Sequence, residues 1–284
     1  MAPMGHVEDE ITPFLKARRA AIDPAELGLP DGPGRRRVRG LRREEVAQRA
    51  GISVDYYTRI EQGRAPAISD SVLDAVARAL RLSEAEHTYL RNITMPHRPT
   101  GACAVVPRPR ARPEVQQLLD AMGETVPAMV VDVAMDVLAW NRLAALVQFD
   151  YDALPESELN AARLLFTHPS ARSKYPDWAD IIEDTVANLR AAIGRSPDQP
   201  RLHHVIWQLR EESPEFRELW ERQSVRVANH GIKRIVHPEV GELVLTFEAF
   251  ELPGDPEQRL CTYTAPKGSL TEERLRALMA PAAV

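Results

Sequence analysis

Arginine residues are concentrated in one short segment of this sequence. Nine arginines lie between positions 35 and 64, where only four acidic residues occur (Glu44, Glu45, Asp55 and Glu61). A local excess of guanidinium groups attracts phosphate, and arginine can also pair with the edge of a guanine base. The segment is therefore a candidate nucleic-acid contact, although a basic loop that only faces water has the same composition.

Side chains that could catalyse a reaction show no comparable pattern. The sequence contains no His-Glu-x-x-His, Gly-x-Ser-x-Gly or Gly-x-Gly-x-x-Gly string and no Gly-x4-Gly-Lys phosphate loop. His203 and His204 are adjacent, so on a helix they point in different directions, and no acidic residue or cysteine completes a metal-ligand set at helical spacing. Cys103 and Cys261 lie far apart and indicate neither a zinc site nor a disulfide. We predict no catalytic activity, metal or cofactor.

Two short helical segments must position the arginines. The segments Arg42–Ala50 and Val54–Gln62 are separated by Gly51, which suits a left-handed helix end, and Ser53, a favoured N-cap. Ala47 would sit where the two helices meet. Burial of the side chains that face inward would leave one face of the second helix free for the major groove of DNA. These inward residues are Ile52, Tyr57 and Ile60.

Three further helices complete the predicted N-terminal domain, which spans 1–95 and is all-α with five helices. Thr12 is the predicted N-cap of the first helix, with Pro13 at its first helical position. Ser69 is predicted to cap the fourth helix, and Ser83 with Glu86 predicts a capping box for the fifth.

The predicted DNA contacts lie on the second short helix and near it. Arg59 could pair with guanine and Asp55 could accept from cytosine, whereas arginines that open the preceding helix could hold phosphate. A charged outward face can also simply be solvated. The predicted contacts are Arg35, Arg36, Arg37, Arg39, Arg42, Arg43, Ser53, Val54, Asp55, Tyr56, Arg59 and Arg64.

The run GLRREEVAQRAGISVDYYTRIEQGR, at positions 40–64, resembles the lambda-repressor-like, XRE-type helix-turn-helix. That superfamily more often has Thr-Gln where this sequence has Arg42-Arg43. This difference, the Arg-rich insertion before it and the Asp55–Gly63 string resemble the MmyB-like branch of regulators. The resemblance implies sequence-specific DNA binding and makes the Arg35–Arg39 loop a backbone or minor-groove contact.

Composition bounds the class of protein. The 284 residues suffice for about two domains, and 27% charged with 44% hydrophobic residues is typical of globular chains. Residues 1–98 carry 16 Lys and Arg against 14 Asp and Glu, whereas the remainder carries 20 against 27. The acidic start MAPMGHVEDEITP lacks a signal-peptide core, and no stretch has the ~18 apolar residues of a membrane span. We expect a cytoplasmic protein without a membrane-spanning segment.

The second half of the sequence predicts a separate α+β domain, spanning 114–284, after a Pro/Arg-rich linker at 96–113. A short helix precedes two apolar strands, a helical middle follows, and three strands close the domain. The clearest helix runs from Asp177 to Ile193 and is expected to end at Gly194. The predicted strands are 128–132, 137–140, 232–237, 242–252 and 259–264.

This region also resembles the MmyB-like family, through the strings MDVLAWN (135–141), FDYDAL (149–154), ARLLF (162–166), YPDW (175–178), SPEF (213–216) and HPEVGEL (237–243). The resemblance implies a PAS-like ligand-binding domain for a lipid-like effector such as a fatty acid. The sequence itself offers aromatic residues for an apolar site and three donors for a carboxylate. The aromatic candidates are Trp140, Phe166, Trp178, Phe216 and Trp220, and the donors are Asn141, Tyr175 and Arg226.

Each of these residues also has a purely structural interpretation. Asn141 could cap the helix that it begins, Tyr175 could be a boundary residue before Pro176, and Arg226 could face solvent. Aromatic residues are more often part of a hydrophobic core than of a binding pocket.

The preferred hypothesis is a one-component switch, in which a homodimer binds an inverted repeat and an effector bound in 114–284 changes the spacing of the two copies or their DNA affinity. Three alternatives remain open. The second domain could be a dimerisation or protein-interaction module without a small ligand, it could be an enzyme, or its PAS-like fold could hold haem or flavin.

Overall fold

The computed structural model describes residues 8–28, 40–65, 68–94 and 109–280. The chain forms two compact units. The first contains residues 1–101 together with the segments 190–199 and 219–226, and the second contains 102–189, 200–218 and 227–284. Two short segments from the C-terminal half therefore pack with the N-terminal helices. Most of the predicted linker, 96–108, lies outside the described residues.

The N-terminal part of the first unit has the predicted five-helix, all-α fold. Its core is formed by side chains from all five helices, among them the fully buried Phe14, Ala47, Tyr57, Val76 and Leu90. A short 3₁₀ helix, Pro24–Leu27, follows the first helix. The five helices are α1 (Glu8–Ala21), α2 (Arg43–Ala50), α3 (Val54–Glu61), α4 (Asp70–Ala79) and α5 (Glu84–Thr94).

Helix α1 begins earlier than predicted. It starts at Glu8, so Thr12 is not its N-cap and Pro13 lies inside the helix. Proline removes one backbone hydrogen bond and is disfavoured in a helix interior. Here Ile11 precedes Pro13 and Phe14 follows it, both buried, and this apolar packing holds the helix together across the proline.

The helix ends around the turn between α2 and α3 form as predicted. Gly51 has a φ of +67° and ends α2, with its backbone N–H donating to the Gln48 carbonyl. Ser53 Oγ accepts from the Tyr56 N–H at 3.1 Å and caps α3. Ile52, which was predicted to be buried, is only half-buried.

Helix α5 has the predicted capping box. The Ser83 N–H donates to Glu86 Oε2 at 2.7 Å, and the Glu86 N–H donates to Ser83 Oγ at 3.3 Å. Two backbone donors at the start of the helix are thereby satisfied.

The second unit contains a five-stranded antiparallel sheet with the order β2-β1-β5-β4-β3. It confirms the prediction of an α+β domain with about five strands. The first two strands have the predicted bounds, whereas the other three begin one to four residues earlier. The strands are β1 (Ala128–Asp132), β2 (Val137–Trp140), β3 (His230–His237), β4 (Gly241–Leu252) and β5 (Asp255–Thr264).

The strand register defines two faces of this sheet. Met129 pairs with Cys261, Phe247 with Tyr263, and Lys233 with Leu245, and because side chains alternate along a strand, these residues share one face. We call it the inner face. On the opposite face, helix α6 (Pro113–Ala121) packs Val115 and Leu119 against Ala128, Val130 and Leu260.

Seven further helices are described in the second half of the chain. Helix α10 extends to Arg195, past the predicted end at Gly194, which is therefore a helical residue. Among the described residues, no helix combines the length and apolarity that a membrane span requires. These helices are α7 (Arg142–Val147), α8 (Ala161–Thr167), α9 (Ala171–Lys174), α10 (Trp178–Arg195), α11 (Pro200–Glu212), α12 (Pro214–Glu221) and α13 (Leu270–Met279).

The turn between β1 and β2 contains two buried carboxylates. Asp132 Oδ1 accepts from the backbone N–H groups of Ala134 and Asp136, at 2.9 and 2.8 Å. Asp136 Oδ1 accepts from Arg201 at 2.7 Å. Burial, and secondly the charge of Asp136, raises the pKa of Asp132 to about 7.

Asp132→Asn is expected to stabilise the protein above pH 7. Between pH 4 and 7 the native state retains a proton that the unfolded state has lost, so ionisation of Asp132 lowers the free energy of unfolding as the pH rises. Asparagine keeps the accepting oxygen without the charge, and the gain at pH 8 should be on the order of 2 kcal/mol. Denaturant unfolding from pH 4 to 8 measures it, with the exposed Asp180→Asn as control. Parallel pH profiles for wild type and Asp132→Asn would contradict this assignment.

Candidate DNA interface and ligand site

Helix α3 presents a polar face to solvent. Tyr57, Ile60 and Glu61 are buried, whereas Asp55 and Arg59 are exposed. Val54 is also exposed, and Tyr56 is half-buried. The predicted outward face is therefore accessible, as the second helix of a helix-turn-helix must be to enter the major groove.

A buried carboxylate holds α3 against the two preceding helices. Glu61, the last residue of α3, is 0% exposed. Its Oε2 accepts from Arg19 Nε at 3.0 Å, and its Oε1 accepts from Arg43 Nε at 2.8 Å. Arg19 also donates to the Leu41 carbonyl at 2.7 Å. Two arginines from α1 and α2 thus neutralise the charge and fix the orientation of α3.

The other predicted DNA contacts differ in their availability. Arg42 is exposed at the start of α2, and Arg64 is exposed after α3. Arg43 is 39% exposed and is engaged with Glu61, so its first role is to position α3. Ser53 caps α3 through its hydroxyl. The predicted contacts that lie outside the described residues are Arg35, Arg36, Arg37 and Arg39.

A second group of polar side chains combines Lys233, Cys261 and Tyr263, on the inner face of the sheet, with Tyr151 and Tyr175, which lie outside the strands. Burial raises the pKa of the hydroxyl groups of Tyr151, Tyr175 and Tyr263. The Tyr263 hydroxyl also interacts electrostatically with Cys261 and with the other two tyrosines. Burial likewise raises the pKa of the Cys261 thiol to about 11, against the opposing charge of Lys233. We call these five residues, Tyr151, Tyr175, Lys233, Cys261 and Tyr263, the lysine–tyrosine cluster.

Lys233 is the charged member of this cluster. Its Nζ lies 5.0 Å from the centroid of the Phe247 ring. Within the described part of the chain, its ammonium makes neither a hydrogen bond nor an ion pair, although Cys261 and Asp184 act on it electrostatically. Desolvation by burial lowers the pKa of Lys233. Lys233 is half-buried, so its ammonium has lost part of its contact with water, and an anionic ligand group would suit this position.

Residues 111–278, more than half of the chain, match the family model described as MmyB-like transcription regulator ligand binding domain. The chain belongs to the MmyB-like transcription regulators. Residues 15–90 also match a helix-turn-helix domain, which covers the exposed face of α3. No match was found among curated proteins. This MmyB-like protein is therefore a DNA-binding transcription regulator with a ligand-binding domain.

Two of the residues predicted to bind the effector lie at the end of β2 in this MmyB-like regulator. The side chain of Asn141 bonds only to backbone groups: Oδ1 accepts from Ala128 and Ala144, and Nδ2 donates to Leu119 and Val126. It thereby caps α7. The Trp140 ring lies 5.4 Å from that of Tyr151 and thus contacts the lysine–tyrosine cluster.

The other predicted ligand residues do not form one group. Phe166 and Phe216 pack edge to face, with ring centroids 5.3 Å apart. Trp178 donates to the Leu165 carbonyl at 2.8 Å. Trp220 and Arg226 belong to the first unit. Of the eight predicted residues, Tyr175 is the one inside the lysine–tyrosine cluster.

Lys233 was not among the residues predicted from the sequence, although its position in β3 carries one signal. Lys233, Ile235 and His237 alternate along β3, and Ile235 and His237 are buried. A lysine two residues before a buried isoleucine must point to the same face. This signal is ambiguous because Ile232 and Val236, on the opposite face, are also apolar, so the pattern of residue types does not tell which face is buried.

Proposed function

We propose that this MmyB-like regulator is a homodimeric one-component switch that binds an inverted repeat. A lipid-like carboxylate, such as a fatty acid, binds in the second unit and changes the DNA affinity. The observation that supports this ligand class is the half-buried Lys233 ammonium, which makes no hydrogen bond or ion pair with the described residues. It lies over the Phe247 ring, which in turn packs against the buried Tyr263. We place the protein in the cytoplasm, where it can reach its DNA target.

The lysine–tyrosine cluster has the chemistry of a carboxylate site. An ammonium donates charge-assisted hydrogen bonds to a carboxylate, and the Tyr175 hydroxyl is a second donor. Apolar neighbours on the inner face, among them Met129 and Phe247, suit an aliphatic chain. Since the Asn141 amide is engaged with backbone groups, we assign the head group to Lys233 and Tyr175.

The DNA half of the proposal assigns roles around α3. Asp55 and Arg59 face outward and are the proposed base contacts, and Arg42 with the N-terminus of α2 is a proposed phosphate contact. Two copies are needed because inverted half-sites about one helical turn apart match a two-fold protein pair. A monomer both free and on DNA in sedimentation would contradict the dimer.

Arg59→Ala is expected to weaken binding to a duplex that the wild-type protein has selected in vitro. If Arg59 pairs with a base, the loss is about 1–3 kcal/mol and sequence preference relaxes at one position. Arg49→Ala, which removes an exposed arginine from α2, is the control for charge alone. Competition binding with point-substituted duplexes measures the loss of affinity and the change in sequence preference. An equal loss of affinity on every duplex would make Arg59 a phosphate contact instead.

The effector proposal is tested by DNA affinity with and without dodecanoate. We expect the dissociation constant for the selected duplex to shift by about fivefold or more, because allosteric couplings are typically of that size. Dodecanol, which has the same chain without a carboxylate, is the matched control ligand. Binding of dodecanoate with an unchanged DNA affinity would contradict the switch.

An alternative function, dimerisation without a small ligand, is supported by a different surface. The outer face of β3 and β4 exposes apolar side chains, with Ile232 72% and Phe250 52% exposed. Patches of this kind often mark interfaces, and here we assign a second copy of the chain. Phe250→Glu should then reduce dimerisation in sedimentation, and a protein that dimerises but binds no carboxylate would favour this function.

A further inference from the structure

A fully buried arginine joins helix α10 to the DNA-binding helices within the first unit. Arg190 is 0% exposed. One nitrogen of its guanidinium donates to Glu10 Oε2 at 2.9 Å, and another donates to the Trp220 carbonyl at 2.6 Å. The guanidinium also lies 3.9 Å from the centroid of the Trp220 ring. A buried charge is tolerated only with such partners, so the orientation of Arg190 is closely specified.

The same carboxylate joins a second helix of the DNA-binding domain. The Tyr89 hydroxyl, on α5, donates to Glu10 Oε2 at 3.0 Å. One turn beyond Arg190, a Cβ added at Gly194 would lie 2.6 Å from Tyr89 Cδ2, so only glycine permits this approach. Arg18 of α1 donates to the backbone carbonyls of Arg222 and Gln223, both at 3.1 Å. Helix α1 therefore contacts both C-terminal segments of the first unit, and α5 contacts the first of them.

Helix α10 is a continuous element that contributes to both units. Its residues up to Leu189 belong to the second unit, and those from Arg190 to Arg195 belong to the first. A ligand shifts an equilibrium only when it has different affinities for two arrangements. Within the first unit, the ion pair of Arg190 with Glu10 holds one such arrangement, and the other would be the arrangement in which this pair is broken.

We propose that Arg190 is the positioning residue through which the state of the ligand-binding unit reaches the DNA-binding helices. The effector in this inference rests on the proposed function. An apolar side chain could provide comparable stability, because replacing a buried ion pair by hydrophobic residues is often neutral. The ion pair, unlike an apolar contact, forms only when the Arg190 guanidinium and the Glu10 carboxylate have the right relative orientation. A change along α10 therefore alters the position of Glu10 and, through it, of Tyr89.

The test compares the effector response of three variants. Arg190→Met and Glu10→Gln each remove the ion pair from one side, and Arg210→Met removes an exposed arginine from α11 as the control. For each, the dissociation constant of the selected duplex is measured with and without dodecanoate. We expect a shift of about fivefold or more in wild type and Arg210→Met, and less than about half of that shift in the two ion-pair variants. Calorimetry must show dodecanoate still bound. A wild-type shift retained in Arg190→Met and Glu10→Gln would overturn the proposal.

A second measurement separates this inference from the proposed effector. If dodecanoate leaves wild-type DNA binding unchanged, the effector proposal fails, and hydrogen exchange without ligand then decides the role of Arg190. Peptides covering α1 and α5 should exchange faster in Arg190→Met or Glu10→Gln than in Arg210→Met. Equal exchange in all three would overturn the positioning role, and Glu10→Gln serves alone if Arg190→Met does not fold.

Discussion

Glu61→Ala is expected to lower the free energy of unfolding by about 3 kcal/mol, because removing one partner of a buried ion pair leaves an uncompensated charge. Glu61 is 0% exposed, and its two partners differ in their access to water. Arg43 can turn outward, whereas the Arg19 side chain is only 14% exposed and would remain largely desolvated. The loss should also disorder the recognition helix α3 and weaken DNA binding.

Denaturant unfolding followed at the N-terminal helices measures this loss. Glu44→Ala, on the exposed side of α2, removes the same charge without a buried partner and should change stability by less than about 0.5 kcal/mol. Glu61→Gln keeps an accepting oxygen, so its loss in free energy of unfolding should lie between those of Glu61→Ala and Glu44→Ala. Similar unfolding curves for Glu61→Ala and Glu44→Ala would show that the carboxylate does not hold α3 in place.

Lys233→Met is expected to have opposite effects on stability and on ligand binding. In the ligand-free protein the substitution removes a half-buried ammonium whose pKa is lowered by desolvation, so the free energy of unfolding should rise. In the complex it removes a charge-assisted hydrogen bond worth about 1.5–3 kcal/mol, which corresponds to roughly 10–100-fold weaker carboxylate binding.

Calorimetric titration with dodecanoate and dodecanol tests this assignment. Wild type should bind dodecanoate more tightly than dodecanol. Lys233→Met should lose that preference but still bind both ligands weakly. Lys267→Met, at an exposed position, is the matched control. An unchanged preference for dodecanoate in Lys233→Met would place the head group elsewhere.

The DNA-binding domain could be predicted from sequence because its signals are local. Gly51 and Ser53 specify the turn through their own backbone preferences, and Tyr57 and Ile60 follow the helical period. The same reasoning failed at Pro13, where the local rule for proline was overridden by burial of Ile11 and Phe14. Glu61 was counted among the acidic residues, but its partner Arg19 lies 42 positions away and could not be paired with it.

The ligand site could be predicted less well because its residues come together only through the sheet. Tyr175, Lys233 and Cys261 are widely separated in sequence, and the register of β3, β4 and β5 places the last two on one face. Aromatic composition pointed instead to residues with other partners. The Trp220 ring, for example, stacks with Arg190 in the first unit.

Native mass spectrometry of the full chain, titrated with dodecanoate, tests the central claim most directly. We predict that each wild-type chain binds one dodecanoate molecule and that denaturation releases it. Lys233→Met should lose most of this bound dodecanoate, whereas Lys267→Met should retain it. Wild type that binds no dodecanoate, or Lys233→Met that binds it as well as wild type, would contradict a carboxylate effector held at Lys233.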